Sequence, residues 1–338
     1  MNYKELMESS RKIMGTKLCK SCIVCDGKAC RNTLPGPGAK GVGDVAIRNY
    51  DAWKKIRVNM DTITDNEPVS TELEIFGKTF KYPIFAGPVG AVQMHYGDAF
   101  DDNGYNDVLV RGCMDAGICA FTGDGKDPNI MMNATQIIKK NQGMAIPTIK
   151  PWSLETYLEK LNLAIDSGAF AVAMDVDAAG LPFLKGCVPP AGRMNTEQLK
   201  AIISRTPVPF IVKGVMSVKG AMKAKEAGAS AIVVSNHGGR VQDQCPATAE
   251  VLEEIVKAVD GSMKIFVDGG LRSGVDVFKA IALGADAMII ARPFVNSIYG
   301  GKEEGIQILV DKLGNELKDT MEMCGAKSLK DITRDMVR

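Results

Sequence analysis

From residue 84 onward, short apolar runs alternate with longer stretches whose apolar positions recur three or four residues apart. The short runs, "IFAGP", "GICAFTG", "MAIPTIK", "FAVAMDVD", "PFIVKG", "AIVVSN", "KIFVDGG" and "AMIIARP", read as eight buried strands. Stretches such as "VKGAMKAKEAGA", "TAEVLEEIVKAVD" and "GVDVFKAIALGA" carry the stripe of a helix packed on a sheet. Eight parallel strands with helical crossovers over about 250 residues is the size of a (β/α)8 TIM barrel, the predicted α/β fold. A doubly wound open sheet is the alternative. Upstream, "TELEIFGKTFKYP" predicts a short hairpin turning at "FGK". Residues 1–70 are then an N-terminal helical and loop extension of the same domain, and residues 71–338 the barrel. No stretch reads as an interdomain linker.

In such a barrel the chemistry sits on the loops after the strands, which directs attention to the polar residues there. The seventh strand ends "VDGGLRSG" and the eighth "ARP". Paired glycines before a helix start suit anion binding, and Arg272 and Arg292 add forked donors for a phosphate. Two tight turns with surface arginines are the plainer alternative. Lys213 ends strand five, where it could form a Schiff base, pair with phosphate or offset negative charge on a bound ring. A structural salt bridge to Asp175 or Asp177 competes with those roles. His237 and Arg240 share one short loop after strand six, "SNHGGR". Imidazole moves protons near neutral pH, guanidinium grips carboxylates, and Asp268 on the next strand is placed to hydrogen-bond the imidazole. A purely structural histidine is the alternative.

Composition narrows the class. With 41 basic and 40 acidic residues in 338, the net charge of +1 does not call for nucleic acid. No apolar run approaches the roughly 18 residues of a membrane span, and the mixed-charge start "MNYKELMESSRKIMGTKL" lacks a signal-peptide core, so the expected location is the cytoplasm. Nine cysteines, an odd number, argue against a disulfide framework. Four crowd one stretch, "CKSCIVCDGKAC": Cys19, Cys22, Cys25 and Cys30. That spacing is one residue longer than a ferredoxin run and lacks its proline, which leaves an iron–sulfur cluster, a zinc ion, and free thiols or a redox pair as candidates.

The stretch "IVKGVMSVKGAMKAKEAGASAIVVSNHGGRVQD", with "PATAEVLEEIVKAVDG" and "VDGGLRSGVDVFKAIALGADAMIIARP", resembles the FMN-dependent 2-hydroxy acid oxidases and dehydrogenases, which include glycolate oxidase, lactate oxidase and mandelate dehydrogenase. The match is nearly continuous from residue 196 to 300, and traceable through "FGKTFKYPIFAGPVGAVQMHYGD". By this resemblance Lys213 sits beside the flavin, His237 is the base, Asp268 supports it, and Arg240 holds the substrate carboxylate. Gly270, Arg272, Gly274 and Arg292 form the FMN phosphate site, Pro88 and Gly90 line the flavin, and Thr122 and Thr148 lie near its ring. The family commonly forms tetramers, so a homo-oligomer is implied.

The chain also departs from that pattern. Strand three ends "PTIKP", with Thr148 and Lys150 where the family has a Gln-x-Tyr pattern. The loop "DVDAAGLPFLKG" lacks the family's second arginine, and "CRNTLPGPGAKGVGD" replaces the region of its N-terminal tyrosine. Lys150 and Asp124 are therefore added as expected substrate contacts. The expected function is FMN-dependent oxidation of a small-molecule 2-hydroxy or related α-substituted acid. If the cysteines hold an iron–sulfur cluster, an electron-carrier protein is an expected partner. The alternatives are an FMN-dependent isomerase of the type 2 isopentenyl diphosphate kind, whose diphosphate would suit Lys150, and a non-enzymatic flavin and thiol sensor.

Overall fold

A computed structural model describes residues 1–188 and 190–338. Two helices lie in the extension, α1 (Tyr3–Met14) and α2 (Val45–Lys55), followed by the hairpin β1 (Leu73–Ile75) and β2 (Lys78–Phe80). The strands β3 (Ile84–Ala86), β4 (Cys119–Thr122), β5 (Ala145–Ile149), β6 (Val172–Asp175), β7 (Phe210–Val215), β8 (Ala231–Val234), β9 (Lys264–Val267) and β10 (Ala287–Ile290) follow. All eight pair in parallel, and β10 closes on β3 through Met288↔Ile84 and Ile290↔Ala86. The closed sheet excludes the open doubly wound alternative. Between strands run α3 (Val92–Tyr96), α4 (Asp102–Asp115), α5 (Pro128–Lys140), α6 (Leu154–Asp166), α7 (Thr196–Ile203), α8 (Val218–Glu226), α9 (Thr248–Val259) and α10 (Gly274–Ala282), and α11 (Arg292–Met323) follows β10.

The strands read as continuous apolar runs because both of their faces are buried, one on the helices and one in the lumen. Phe85, Phe121, Ile146, Ile211, Val233, Phe266 and Ile289 fill the lumen. Phe85, Phe121 and Phe266 meet edge to face at 5.3–6.0 Å between centroids, a geometry that aromatic quadrupoles favour. The barrel is thus a solid core, and any chemistry is confined to its rim. The hairpin plugs the opposite end. Phe76 and Gly77 form its two-residue turn with φ of 51° and 70°, the left-handed pair that matches strand twist, and Phe76 reaches the Phe266 ring.

The extension is built into the same body. Asn2 caps α1 in a reciprocal box with Glu5, and the helix lies so close to α11 that a Cβ on Gly300 would stand 2.4 Å from the Leu6 carbonyl. Helix α2 crosses the loop after β9, where Trp53 Nε1 donates to the Gly269 carbonyl at 2.8 Å. Arg338 exchanges backbone hydrogen bonds with Arg57. Among the described residues no helix is long and apolar enough to cross a membrane.

Candidate active site

The C-terminal ends of the strands surround a cavity of about 390 Å3. Lys213 enters it from β7, where the pairing with β8 shifts register between Lys213 and Val215. The residue between them, Gly214, has φ +102°, and a Cβ there would stand 2.5 Å from the Asp177 side chain. The bulge therefore makes room for Asp177 beside Lys213. Lys213 is 3% exposed and donates to Ser235 Oγ at 3.0 Å, while Asp268 Oδ2 lies 3.2 Å from its Nζ. Burial alone would lower the lysine pKa, but the carboxylates of Asp268, Asp177 and Asp175 outweigh it and raise it. A fixed cation results.

Ser235 joins this cation to the histidine loop. Its hydroxyl donates to Asp268 Oδ2 at 2.8 Å and accepts from the His237 backbone N–H at 3.1 Å. His237 itself adopts φ +56°, followed by Gly238 and Gly239 at +63° and +84°. This left-handed run turns the imidazole back over the barrel, where Nδ1 lies 3.0 Å from Asp177 Oδ1. The expected support from Asp268 is thus corrected: Asp268 holds Lys213 and Ser235, and the imidazole's carboxylate partner is Asp177. Sequence order concealed this, because Asp177 follows β6, two strands from the histidine loop, and the Gly214 bulge brings it in. Burial, then Lys213 and Lys150, drive the His237 pKa well below its ordinary value, so the ring is neutral. Burial raises the Asp177 carboxyl against the pull of Lys213 and Lys150.

Arg240 lines the same cavity, with Nη1 donating to the carbonyls of Gly36 and Gly38 from the extension. Burial lowers its pKa to about 10, which leaves it charged at neutral pH. Beside it stands His95, a residue that sequence reasoning did not single out. Its Nδ1 accepts from the Gly36 backbone N–H at 3.1 Å, and its pKa falls to about 3 through burial and the charge of Arg240. Lys150 also reaches the cavity but forms a close ion pair with Asp175.

Two other expected contacts, Asp124 and Gly274, are corrected. The Asp124 carboxylate is closed to solvent and accepts from Lys160 Nζ, Trp152 Nε1 and the backbone N–H groups of Lys150 and Gly125, so it braces loops and has no oxygen free for substrate. Gly274 lies outside the cavity lining. Its N–H donates to Glu316, and a Cβ there would meet Leu317 N at 2.2 Å, so its smallness serves the α10–α11 contact. Thr122 is buried outside the lining with an unpartnered hydroxyl.

Pro88, Gly90, Thr148, Gly270, Arg272 and Arg292 do line the cavity. Gly270 answers a second demand, since a Cβ at its φ of +83° would stand 2.2 Å from the Asn49 carbonyl of α2. Arg292 donates to the Gly238 carbonyl at 3.0 Å through Nη2, while its Nη1 is buried without a protein partner, as is Thr148 Oγ1. Arg272 directs Nε to the Cys25 carbonyl at 2.7 Å. The buried Lys213 cation, the unmet Arg292 donor at a helix start and the unmet Thr148 hydroxyl all border this cavity, a set that fits a polar ring with a phosphate tail such as FMN.

A family model described as FMN-dependent dehydrogenase matches residues 37–183 and 183–338. The chain belongs to the FMN-dependent dehydrogenase family. Among curated relatives, peroxisomal (S)-2-hydroxyacid oxidase GLO3 of Arabidopsis thaliana is 47% identical over 144 residues, which is 43% of this chain and 39% of that protein. The chain thus aligns with less than half of that relative's length. 4-Hydroxymandelate oxidase of Amycolatopsis orientalis is 29% identical over 89% of this chain and 94% of its own. Among solved structures, mandelate oxidase with (S)-2-phenylpropionate superposes with a TM-score of 0.80 at 26% identity, covering 100% of this chain and 97% of that one. A mandelate oxidase mutant with the C4a-OH-FMN adduct superposes at 0.78 and 26% identity, covering 98% and 97%.

Proposed function

We propose that the protein oxidises a 2-hydroxy acid to the corresponding 2-keto acid, with FMN as cofactor and His237 as base. The observation that carries this reading is a neutral His237, held at Nδ1 by Asp177, which faces the same cavity as the buried Lys213 cation and Arg240. FMN, when bound, supplies the acceptor for the two electrons and the hydrogen leaving the substrate α-carbon. Arg240 anchors the substrate carboxylate, and the extension carbonyls that hold its Nη1 fix the direction of the grip. With Nδ1–H donated to Asp177, His237 presents Nε2 as a proton acceptor for the substrate hydroxyl. The carboxylate stabilises the imidazolium that results, as a hydrogen bond to the charged form does. Lys213, held positive by three carboxylates, favours negative charge developing in the cavity. Pro88, Gly90, Thr148, Gly270, Arg272 and Arg292 hold the cofactor.

The Lys150–Asp175 pair bears on the isomerase alternative. The added cation that suggested a diphosphate substrate is neutralised by its neighbour. Anaerobic mixing of the FMN-loaded protein with a panel of 2-hydroxy acids tests the proposal. Bleaching of the flavin with formation of the 2-keto acid is expected. Substrate turnover without net redox change would replace oxidation by isomerisation.

A further inference from the structure

The cysteine-rich stretch of the extension is absorbed by none of this chemistry, yet it is built against the site. Cys19, Cys22, Cys25 and Cys30 together line a second, much smaller cavity of about 20 Å3. Pro37 and Arg292 line this cavity and also the larger one at the barrel mouth, so one wall separates the two. We propose that the four cysteines hold an iron–sulfur cluster in this second cavity, alongside the phosphate end of the FMN site.

The loop that carries the thiols is anchored from three sides. Arg11 of α1 donates to the carbonyls of Lys20 and Ser21, Arg272 donates to that of Cys25, and a Cβ on Gly27 would touch Ala46 of α2 at 3.1 Å. Positive and polar groups already face the sulfurs. The Cys19 thiol donates to Asn296 Oδ1 at 3.3 Å, while Arg272 Nη2 lies 3.7 Å from Cys25 Sγ and the Ser21 N–H points at Cys19 Sγ from 3.5 Å. Guanidinium and N–H donors of this kind offset the negative charge that four thiolates bring to a cluster.

The spacing of the sulfurs favours a cluster over a single ion. A tetrahedral zinc ion with Zn–S of about 2.3 Å holds its four sulfurs ~3.8 Å apart. Among the described residues no three of these sulfurs lie within 4.8 Å of one another. A cluster of several irons spans more space than one ion and takes thiolates that stand farther apart. Among the described residues no histidine lines the cavity to complete a mixed zinc site.

The proposal does not depend on the identity of the substrate. Its test is chemical analysis of the full-length protein purified without oxygen, with FMN bound. Iron and acid-labile sulfide in equal amounts are expected, with a paramagnetic signal after dithionite reduction. Cys22→Ser and Cys25→Ser should each lose iron, sulfide and that signal while FMN remains bound. Stoichiometric zinc without sulfide, or a metal-free protein whose thiols all titrate, would overturn the proposal. Retention of iron in both variants would do the same. If the variants fail to fold, the metal and sulfide content of the unaltered protein still decides.

Discussion

Asp177→Asn isolates the pairing that the tertiary structure revealed. The side chain keeps its shape, but the carboxylate that faces Nδ1 at 3.0 Å becomes a neutral amide. A hydrogen bond to a charged partner contributes about 1.5–3 kcal/mol, and here the charge on the imidazole exists only once the substrate proton has moved. The loss therefore falls on the rate of flavin reduction and not on substrate binding. At about 1.4 kcal/mol per decade, it amounts to roughly a 10- to 150-fold slower reduction. The assay is anaerobic stopped-flow bleaching with whichever 2-hydroxy acid reduces the unaltered protein fastest, with FMN content measured in parallel. An Asp177→Asn protein with full FMN content and an unchanged reduction rate would refute the reasoning.

The remaining expectations are more local. His95 has its pKa lowered from about 6.5 to about 3, so the unfolded chain binds its proton first as pH falls. Its contribution to stability is complete above about pH 6.5 and is lost towards pH 3, at up to ~1.4 kcal/mol per pH unit. Denaturant melts of the His95→Gln protein should show a correspondingly shallower decline over that window, and parallel declines would count against it. Asp124→Asn leaves Lys160 buried beside a neutral amide and should cost about 3 kcal/mol of stability. Its flavin reduction rate should stay near that of the unaltered protein, whereas a direct substrate contact would raise the apparent KM. Gly270→Ala combines a positive φ with a Cβ 2.2 Å from Asn49, so α2 must shift at a cost of at least about 2 kcal/mol. Thermal melting and retention of FMN after gel filtration would both report it, and an unchanged melt would mean that α2 is not seated on this loop.

The strand count, the barrel and the placement of Lys213, His237, Arg240 and Arg292 around one rim were legible in the sequence. Each of these follows from local pattern: buried strands are continuous apolar runs, and the residue that ends a barrel strand points to the mouth. The partners of those residues were not legible. Asp268 lies on the strand next to the histidine loop and was expected to hold the imidazole. A one-residue bulge at Gly214 admits Asp177 instead and leaves Asp268 to Lys213 and Ser235. Asp124 looked like an added charge in the pocket because a carboxylate in a sequence does not disclose its donors. Four groups from three segments converge on it. Gly274 shared a motif with Gly270, yet one faces α11 and the other both α2 and the cavity, a distinction made by which helix lies above each. The cysteine spacing left a cluster, a zinc ion and free thiols open, and only the fold sets that loop against Arg272 and Arg292. Periodicity is local and survives in one dimension. Pairings between side chains depend on bulges, helix crossings and loop paths, which form only when the whole barrel closes.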